Sequence, residues 1–336
     1  MYTPTKRQLL VLLYLIPYVA LGNSALAADI SGELEQNINA RIEKRVFPGL
    51  IIGIIDVDGP RYYGFGETEM GSGQLPDKDT VYEIGSITKT FTAPLLADMT
   101  LKGELALEDP AQKWLPDSVS IPQRGGQQIT LADLSTHHSS LPRMPANFAP
   151  ANPSNPYADY TVELMYEFLS AHTLTRDIGE SAEYSNLAVG LLGHILSVRA
   201  GSSYEQLLKQ RIFGPLSMES SAITFSDSMR ERLAPGYTAI PNLLIPAQNW
   251  DLTSFAGAGA IRSTAEDMLK YLGAQLGLRD SVLHSAIELT QQSREDFNDQ
   301  MEIGLGWISV SGDDGSSYHW HNGGTGGHRT FAGLSR

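Results

Sequence analysis

One short segment of the chain indicates both a local structure and a chemistry: Tyr82-Glu83-Ile84-Gly85-Ser86-Ile87-Thr88-Lys89-Thr90-Phe91. An apolar segment ends at Gly85, and the amphipathic spacing that follows predicts a helix starting at or next to Ser86. Residues three apart share a helix face, so Ser86 and Lys89 are expected to point the same way. A serine hydroxyl needs a neighbouring base to act as a nucleophile, and a desolvated amine can be that base. The segment therefore makes Ser86 a candidate nucleophile with Lys89 as its base; the alternative is a chance occurrence, because a Ser-x-x-Lys spacing is short enough to arise by chance in a chain of this size.

Composition sets outer limits on the partners and the architecture. The chain has 336 residues, a formal net charge of −14, 42% hydrophobic residues and no cysteine. This length suits one large domain or two intertwined subdomains. The acidic balance argues against nucleic acid or an anionic membrane as the main partner. The lack of cysteine excludes disulfides, thiol nucleophiles and thiolate metal sites.

The N-terminus is typical of an export signal. Lys6 and Arg7 precede the apolar run Leu9–Leu21, and Ala25-Leu26-Ala27 follows. A basic, then apolar, then small-residue order predicts a signal peptide over residues 1–27, cleaved after about Ala27. The alternative is an uncleaved anchor, for which a run of about 13 residues containing Pro17 is short. We expect a periplasmic or secreted protein without a stable membrane span after cleavage.

Strand-like segments lie near both ends of the chain and helical patterns lie between them. Gly49–Asp56 and Arg61–Gly66 predict a hairpin, and three further strands are predicted near the C-terminus. This order predicts an α/β (α+β) fold in which an antiparallel sheet is built from both chain ends and flanked by helices, with an inserted all-helical domain. The predicted boundaries are a domain over residues 28–336, with an α/β part at about 28–85 and 255–336 and a helical part at about 86–254.

Two later segments could complete a site around Ser86. In Tyr184-Ser185-Asn186, a tyrosine at a loop-to-helix junction can face a cleft, and near ammonium groups its pKa can fall so that it acts as a base. Asn186 offers a hydrogen-bond donor and an acceptor. A half-buried packing role for Tyr184 is the alternative. The segment His321-Asn322-Gly323-Gly324 lies between strand-like runs, and its glycines would let a ligand approach backbone N–H groups.

The histidines near this segment raise the alternative of a metal site. His319 and His321 would share one strand face, and His328 follows nearby. No carboxylate-rich segment supports a coordination sphere, so we predict neither a metal nor another cofactor.

Together the three segments resemble the ordered triple motif of the penicillin-recognising serine hydrolases. Within that superfamily the chain is similar to the branch of class C β-lactamases, D-alanyl-D-alanine carboxypeptidases and β-lactamase-like esterases. Flanking strings also look like that family, and the resemblance runs from about Ile30 to the last residue: Gly103-Glu104-Leu105-Ala106-Leu107-Glu108-Asp109-Pro110, Leu134-Ser135-Thr136-His137, Ile212-Phe213-Gly214-Pro215-Leu216 and Ser263-Thr264-Ala265-Glu266-Asp267.

The resemblance implies a role for each matching residue. Ser86 would be the nucleophile, and Lys89 and Tyr184 would share the proton transfers. Asn186 would orient the substrate and Lys89. His321, Gly323 and Gly324 would line the substrate site, and the backbone N–H groups of Ser86 and Gly324 would form the oxyanion hole.

Three departures from the family pattern narrow the expected activity. His321 stands where class C β-lactamases usually have lysine, which removes a permanent cation and is more like the carboxypeptidases and esterases. Ser140 stands where the family often has glycine. The family usually continues past the Thr330 strand with another strand and a closing helix, which this sequence, ending at Arg336, does not contain.

The leading interpretation is an exported serine hydrolase that acts through an acyl-enzyme on a small-molecule or peptidoglycan-derived substrate. The candidate substrates are a cyclic amide (a β-lactam), a D-Ala peptide or an ester. One alternative is a carboxylesterase for small esters. The alternative from a different class is a non-catalytic or defective truncated binding protein. The absence of a Gly-x-Ser-x-Gly motif disfavours an α/β-hydrolase.

Overall fold

The computed structural model describes residues 30–241, 243–312 and 315–336, so the predicted signal peptide at residues 1–27 lies outside the described residues. The strands are β1 Gly49–Asp56, β2 Gly59–Gly66, β3 Val81–Glu83, β4 Gln123–Arg124, β5 Gln127–Gln128, β6 Gly236–Ile240, β7 Leu243–Ala247, β8 Arg262–Thr264, β9 Glu295–Asn298, β10 Met301–Ile303, β11 Ile308–Ser311, β12 Ser317–Gly324 and β13 Arg329–Ser335. The helices are α1 Gly32–Glu43, α2 Lys89–Leu101, α3 Leu131–Ser135, α4 Val162–Ala171, α5 Asn186–Ala200, α6 Tyr204–Leu208, α7 Gly214–Leu216, α8 Asp227–Glu231, α9 Ala256–Gly259, α10 Ala265–Gln275 and α11 His284–Gln291. Two 3-10 helices, Gly85–Thr88 and Ala111–Trp114, and one π-helix, Lys209–Phe213, complete the described elements.

The strands form antiparallel sheets, which confirms the predicted fold class. The largest sheet has the order β13-β12-β11-β10-β9, and β1 pairs with β2 as a hairpin. The two chain ends therefore contribute separate sheets within the described residues, rather than the single sheet that the sequence predicted. The face of β1 at Gly53 packs against Leu269 of α10.

Helix α2 lies at the centre of the main hydrophobic core. Phe91 stacks on Tyr271 of α10 at a ring-centroid distance of 3.9 Å and meets Phe213 edge-on at 6.0 Å. Leu95 and Leu96 are fully buried in the same core. Burying large apolar side chains on this scale fixes the helix, and with it the turn that precedes α2.

Pro94 lies inside α2 without a compensating break in the helix. A proline has no N–H, so the carbonyl four residues earlier, that of Thr90, loses its intrahelical donor. The buried hydroxyl of Tyr271 donates a hydrogen bond to this carbonyl instead. The core thus supplies the partner that the proline removes, and α2 stays continuous from Lys89 to Leu101.

Within the described ranges, no helix combines the length and the apolar composition that a membrane crossing requires.

Candidate active site

Ser86 lies in a tight turn between β3 and α2. The turn is the 3-10 helix Gly85–Thr88, and α2 itself begins at Lys89, three residues later than the sequence suggested. Gly85 explains this start, because its φ of +53° is in the left-handed region. A Cβ at Gly85 would also lie 2.6 Å from the backbone nitrogen of Gly324. The turn therefore depends on a glycine and sits directly against the end of β12.

Lys89 is buried against the serine and forms no ion pair with any residue that the structure describes. Its side chain is 1% exposed. Its Nζ lies 3.1 Å from Ser86 Oγ, 2.9 Å from Asn186 Oδ1 and 2.7 Å from the carbonyl oxygen of Ala258. The predicted pair of Ser86 and Lys89 is thus brought together, and Asn186 joins it from the start of α5.

The surroundings of Lys89 favour a neutral amine. Burial, and then the nearby charge of Arg143, bring the pKa of Lys89 well below its usual value of 10.5. The oxygens of Asn186 and Ala258 can only accept hydrogen bonds, so they take the two hydrogens of a neutral amine. Its lone pair is then left for the hydroxyl hydrogen of Ser86. The geometry suits a base that removes a proton from this serine.

Tyr184 also reaches Ser86. It directly precedes Ser185, the residue that caps α5 by accepting a hydrogen bond from Ala188 N, and its hydroxyl is hydrogen-bonded to Ser86. Burial raises the pKa of Tyr184 to about 12, although the bond to Ser86 and the charge of Arg143 act in the opposite direction. The expectation of a lowered pKa was therefore wrong, because desolvation outweighs the cations. At neutral pH this phenol carries its proton and can donate it.

Asn186 is held from both ends of its amide. Its Oδ1 accepts from Lys89, and its Nδ2 lies 3.5 Å from the hydroxyl of Tyr157 and 3.9 Å from Met144 Sδ. Asn186 is thus fixed between the amine and the loop after α3, where it can orient both Lys89 and a ligand.

The end of β12 presents backbone groups to the turn around Ser86. The nitrogen of Thr325 donates to the carbonyl oxygen of His328 at 3.1 Å, which closes the hairpin to β13. Bonded and non-bonded pairs alternate along an antiparallel ladder, so the next pair, Gly324 with Arg329, is a non-bonded one. The N–H of Gly324 therefore points away from β13, on the edge that faces Gly85. A Cβ at Gly323 would overlap the carbonyl of Ile84, so the close approach requires glycine there.

His321 is a buried neutral base rather than a cation. Its side chain is 1% exposed, and its ring lies 6.1 Å from the ring of Tyr184. Burial, and then the charge of Lys89, lower the pKa of His321 to about 3. Its Nδ1 donates to the carbonyl oxygen of Asn322 at 2.6 Å, which fixes the tautomer. The place where a lysine would supply a positive charge therefore holds an uncharged ring.

The three histidines considered for a metal have separate partners. His319 contacts Ser309 Oγ at 2.7 Å, His321 faces Lys89, and His328 lies 3.4 Å from Glu83. No cluster of three or more histidine, aspartate or glutamate residues that could hold a metal ion occurs among the described residues.

A buried ionic group behind the turn escaped the sequence analysis. Glu83 and Arg262 are directly paired across β3 and β8 and lie 3.4 Å apart. The carboxylate of Glu83 also accepts from the backbone nitrogen of Trp250 at 2.9 Å. Glu83 lies inside the quoted segment, but its register partner is 179 residues away, and no local pattern reveals that distance.

The loop after α3 supplies two more residues that the sequence analysis missed. His137 has a φ of +66°, its Nδ1 accepts from Ser185 N at 3.1 Å, and its ring lies 4.5 Å from that of Tyr184. Arg143 lies over the Tyr184 ring, 4.9 Å from its centroid. The string that contains His137 was noted only as a family-like flank, and Arg143 had no motif to mark it.

An antiparallel α/β fold with this ordered serine, lysine, tyrosine and glycine arrangement defines a penicillin-recognising serine hydrolase. The family model described as Beta-lactamase matches residues 34–336. The chain therefore belongs to the Beta-lactamase family.

Individual relatives agree with this assignment. The chain is 28% identical over 279 residues to D-alanyl-D-alanine-carboxypeptidase/endopeptidase AmpH of Escherichia coli (strain K12), covering 80% of this chain and 70% of the relative. It is 28% identical over 291 residues to a beta-lactamase of Psychrobacter immobilis, covering 83% and 67%. Among solved structures, a beta-lactamase/D-alanine carboxypeptidase from Yersinia pestis complexed with citrate matches with a TM-score of 0.74 and 25% identity, covering 90% of this chain and 87% of the other.

Proposed function

We propose that this chain is an exported serine hydrolase of β-lactamase type that forms an acyl-enzyme on Ser86. One observation carries the proposal: the Nζ of Lys89 is buried, lies 3.1 Å from Ser86 Oγ and bonds otherwise to uncharged oxygens. Such an amine gives up its charge readily and can activate the serine. The alternative of a non-catalytic binding protein gives no reason for an amine to be buried there without a carboxylate.

Acylation then proceeds by two proton movements. Lys89 Nζ takes the hydroxyl proton of Ser86 as Oγ attacks the substrate carbonyl carbon. The oxyanion accepts hydrogen bonds from the backbone N–H groups of Ser86 and Gly324. As the bond to the leaving group breaks, the Tyr184 hydroxyl donates its proton to that group, and the lysine ammonium restores the proton to Tyr184.

Deacylation uses the same residues with water in place of the leaving group. Water gives a proton to the Tyr184 and Lys89 pair as its oxygen attacks the acyl carbon, and the proton returns to Ser86 Oγ when the acyl group leaves. Asn186 holds Lys89 in position through its Oδ1 during both halves.

The substrate classes we propose are a D-Ala peptide, a cyclic amide or an ester. The uncharged His321 supports ester substrates over a β-lactam, since it offers no cation for a β-lactam carboxylate at that position. The neutral ring of His321 is also the observation that favours the second candidate function, a carboxylesterase for small esters.

We also propose that residues 1–27 direct export to the periplasm or outside the cell, where a peptidoglycan-derived or other small-molecule substrate is met. No nucleic-acid partner is proposed, because the net charge is −14. The proposed division is an α/β part at about 28–85 and 255–336 with a helical part at about 86–254 between them.

Intact-protein mass spectrometry on the mature chain tests the proposal. The protein is exposed to a penicillin and, separately, to an activated short-chain ester, and the Ser86→Ala variant serves as the control. We expect a mass adduct or turnover that requires Ser86. A long-lived penicillin adduct would indicate a carboxypeptidase-like enzyme, and a short-lived one a β-lactamase.

A folded sample that gives neither adduct nor turnover with either compound would refute the hydrolase and leave the binding protein. Circular dichroism on the same sample establishes that it is folded.

A further inference from the structure

Arg143 is an exposed cation held at the edge of the proposed site. It follows α3 in the loop that contacts the start of α5, where its carbonyl oxygen accepts from the nitrogens of Asn186 and Leu187 at 3.1 and 3.3 Å. Its guanidinium carbon lies 4.9 Å from the ring centroid of Tyr184. Two backbone bonds and a ring contact therefore fix its approach to the site, although it lies on a loop.

The guanidinium of Arg143 has no polar partner among the described residues. Within the part of the chain that the structure describes, its side chain makes no hydrogen bond or ion pair, and only the ring of Tyr184 is in contact with its charge. A guanidinium carries five N–H donors in a planar fork that suits a carboxylate. These donors are free to bind an anion from solution.

The other arginines around the site already have partners. Arg262 is paired with Glu83, and Arg176 lies 2.9 Å from Glu183. Arg329 is turned toward its own hairpin, where Nη1 donates to the carbonyl oxygens of Thr325 at 2.6 Å and His328 at 2.8 Å. A cation with unused donors thus lies on the α3 side of Ser86.

The charge of Arg143 acts directly on the residues that do the chemistry. It contributes, after burial, to the lowered pKa of Lys89, and it opposes the effect of burial on the pKa of Tyr184. An anionic group bound by Arg143 would lie beside the Tyr184 ring and so within the span of one substrate acylating Ser86. On the β12 side of the site, His321 is neutral and the donors of Arg329 are already used by its own hairpin.

We propose that Arg143 is a specificity-determining residue whose guanidinium binds a carboxylate of the substrate at the loop after α3, an inference that rests on the proposed function. The preferred substrates are acyl compounds that carry a carboxylate near the scissile bond. The carboxylate is recognised from the side of Asn186 and Tyr184, and the β12 edge contributes backbone groups only.

Three activated esters test this assignment. The first is neutral 4-nitrophenyl acetate, the second carries a carboxylate on the acyl side (mono-4-nitrophenyl glutarate), and the third carries it on the leaving group (4-acetoxy-3-nitrobenzoate). The measured quantity is the ratio of kcat/KM for each carboxylate ester to that for the neutral ester. Because Arg143 also affects Lys89 and Tyr184, a general loss of rate cancels in this ratio.

We expect Arg143→Gln to lower the ratio for at least one carboxylate ester about ten- to hundredfold, as removal of a charge-assisted bond does. Arg143→Lys keeps the charge without the fork and should recover part of that loss. Arg329→Gln is the control. It removes the cation of the β12–β13 hairpin and should change the ratio by less than about twofold.

Two results would overturn the inference, and they differ in what else they affect. An unchanged ratio in Arg143→Gln, with Ser86-dependent turnover of all three esters, overturns the role of Arg143 alone. Failure of the wild-type protein to turn over any of the esters overturns the proposed function and, with it, this inference.

Discussion

Two buried basic side chains lie on either side of the turn that carries Ser86, and they differ in what surrounds them. Lys89 is 1% exposed and Arg262 is 4% exposed. Lys89 contacts a hydroxyl and two carbonyl oxygens. Arg262 contacts the Glu83 carboxylate at 3.4 Å, the carbonyl oxygen of Trp250 at 2.5 Å and that of Ile223. One short segment of chain is involved in both environments: the carbonyl oxygen of Ala258 accepts a hydrogen bond from Lys89, and Arg262 follows four residues later.

The difference indicates how burial is used for chemistry in one place and for structure in the other. A buried charge persists when a counter-charge compensates for the lost solvation, and a guanidinium cannot lose its proton in any case. A buried amine without a carboxylate becomes neutral instead, which lowers the pKa of Lys89. The arginine pair therefore supports the turn, whereas the lysine is available as a base.

The largest expected effect comes from removing the base. Lys89→Met keeps an apolar stem of similar length but no amine, so we expect kcat/KM on an activated ester to fall by at least about a thousandfold. Lys89→Arg places a permanent cation at the same site, and we expect an equal loss because a guanidinium does not accept the proton of Ser86.

Steady-state hydrolysis, with circular dichroism as the folding control, measures this comparison. Substantial activity in Lys89→Arg would contradict the assignment of Lys89 as a neutral base, since a permanently charged side chain would then be sufficient for hydrolysis.

The second effect concerns stability. Glu83→Gln leaves Arg262 buried with a weakened counter-charge, so we expect the free energy of unfolding to fall by about 3 kcal/mol. Glu266→Gln is the matched control, because it breaks the partly exposed pair with Lys78 and should change stability by less than about 1 kcal/mol. Urea denaturation of both variants gives the two values. Equal losses would mean that the buried pair of Glu83 and Arg262 stabilises the fold no more than the partly exposed pair of Glu266 and Lys78.

The sequence was sufficient for the parts of the site that are local. The three-residue spacing of Ser86 and Lys89 brought them within 3.1 Å even though the turn is a 3-10 helix rather than the start of α2. The hairpin of β1 and β2 and the strands near the C-terminus were also predictable from alternation and turn residues. These features depend on neighbours within a few residues, which periodicity can report.

The parts that depended on distant contacts could not be predicted. The pairing of Glu83 with Arg262 and the position of Arg143 over Tyr184 join segments that no local pattern connects. The pKa of Tyr184 was predicted in the wrong direction because cations could be inferred from the sequence, whereas the depth of burial could not. Burial is a property of the whole fold, and it decided the sign here.

The third effect tests the close contact between Gly323 of β12 and the carbonyl oxygen of Ile84, next to the turn that carries Ser86. In Gly323→Ala the added methyl group would overlap the carbonyl oxygen of Ile84 and the hydroxyl of Thr330, so we expect a loss of stability of about 1–3 kcal/mol. Gly324→Ala is the neighbouring control, since its methyl group would lie 3.6 Å from Arg329 Cδ, an ordinary contact. Urea denaturation compares them. A larger loss in Gly324→Ala would contradict the close approach of β12 to the turn at Gly323.

The smallest expected effect is on the pH dependence of stability, and it concerns His321, a second buried base that is neutral in the fold. The pKa of His321 is about 3 in the fold, compared with about 6.5 when the chain is unfolded. The unfolded chain therefore binds more protons below pH 6.5, and stability contributed by this residue is lost as the pH falls from 6.5 toward 3. Between pH 6 and 5 the wild-type protein should lose about 1 kcal/mol more than His321→Gln, which has no imidazole to protonate.

Urea denaturation of both proteins at several pH values isolates this contribution, because the shared carboxylates cancel in the difference. Parallel stability curves would mean that His321 accepts a proton in the fold as easily as in water. Burial without a counter-charge would then not be enough to keep a base neutral at this site, and the same argument for Lys89 would lose its support.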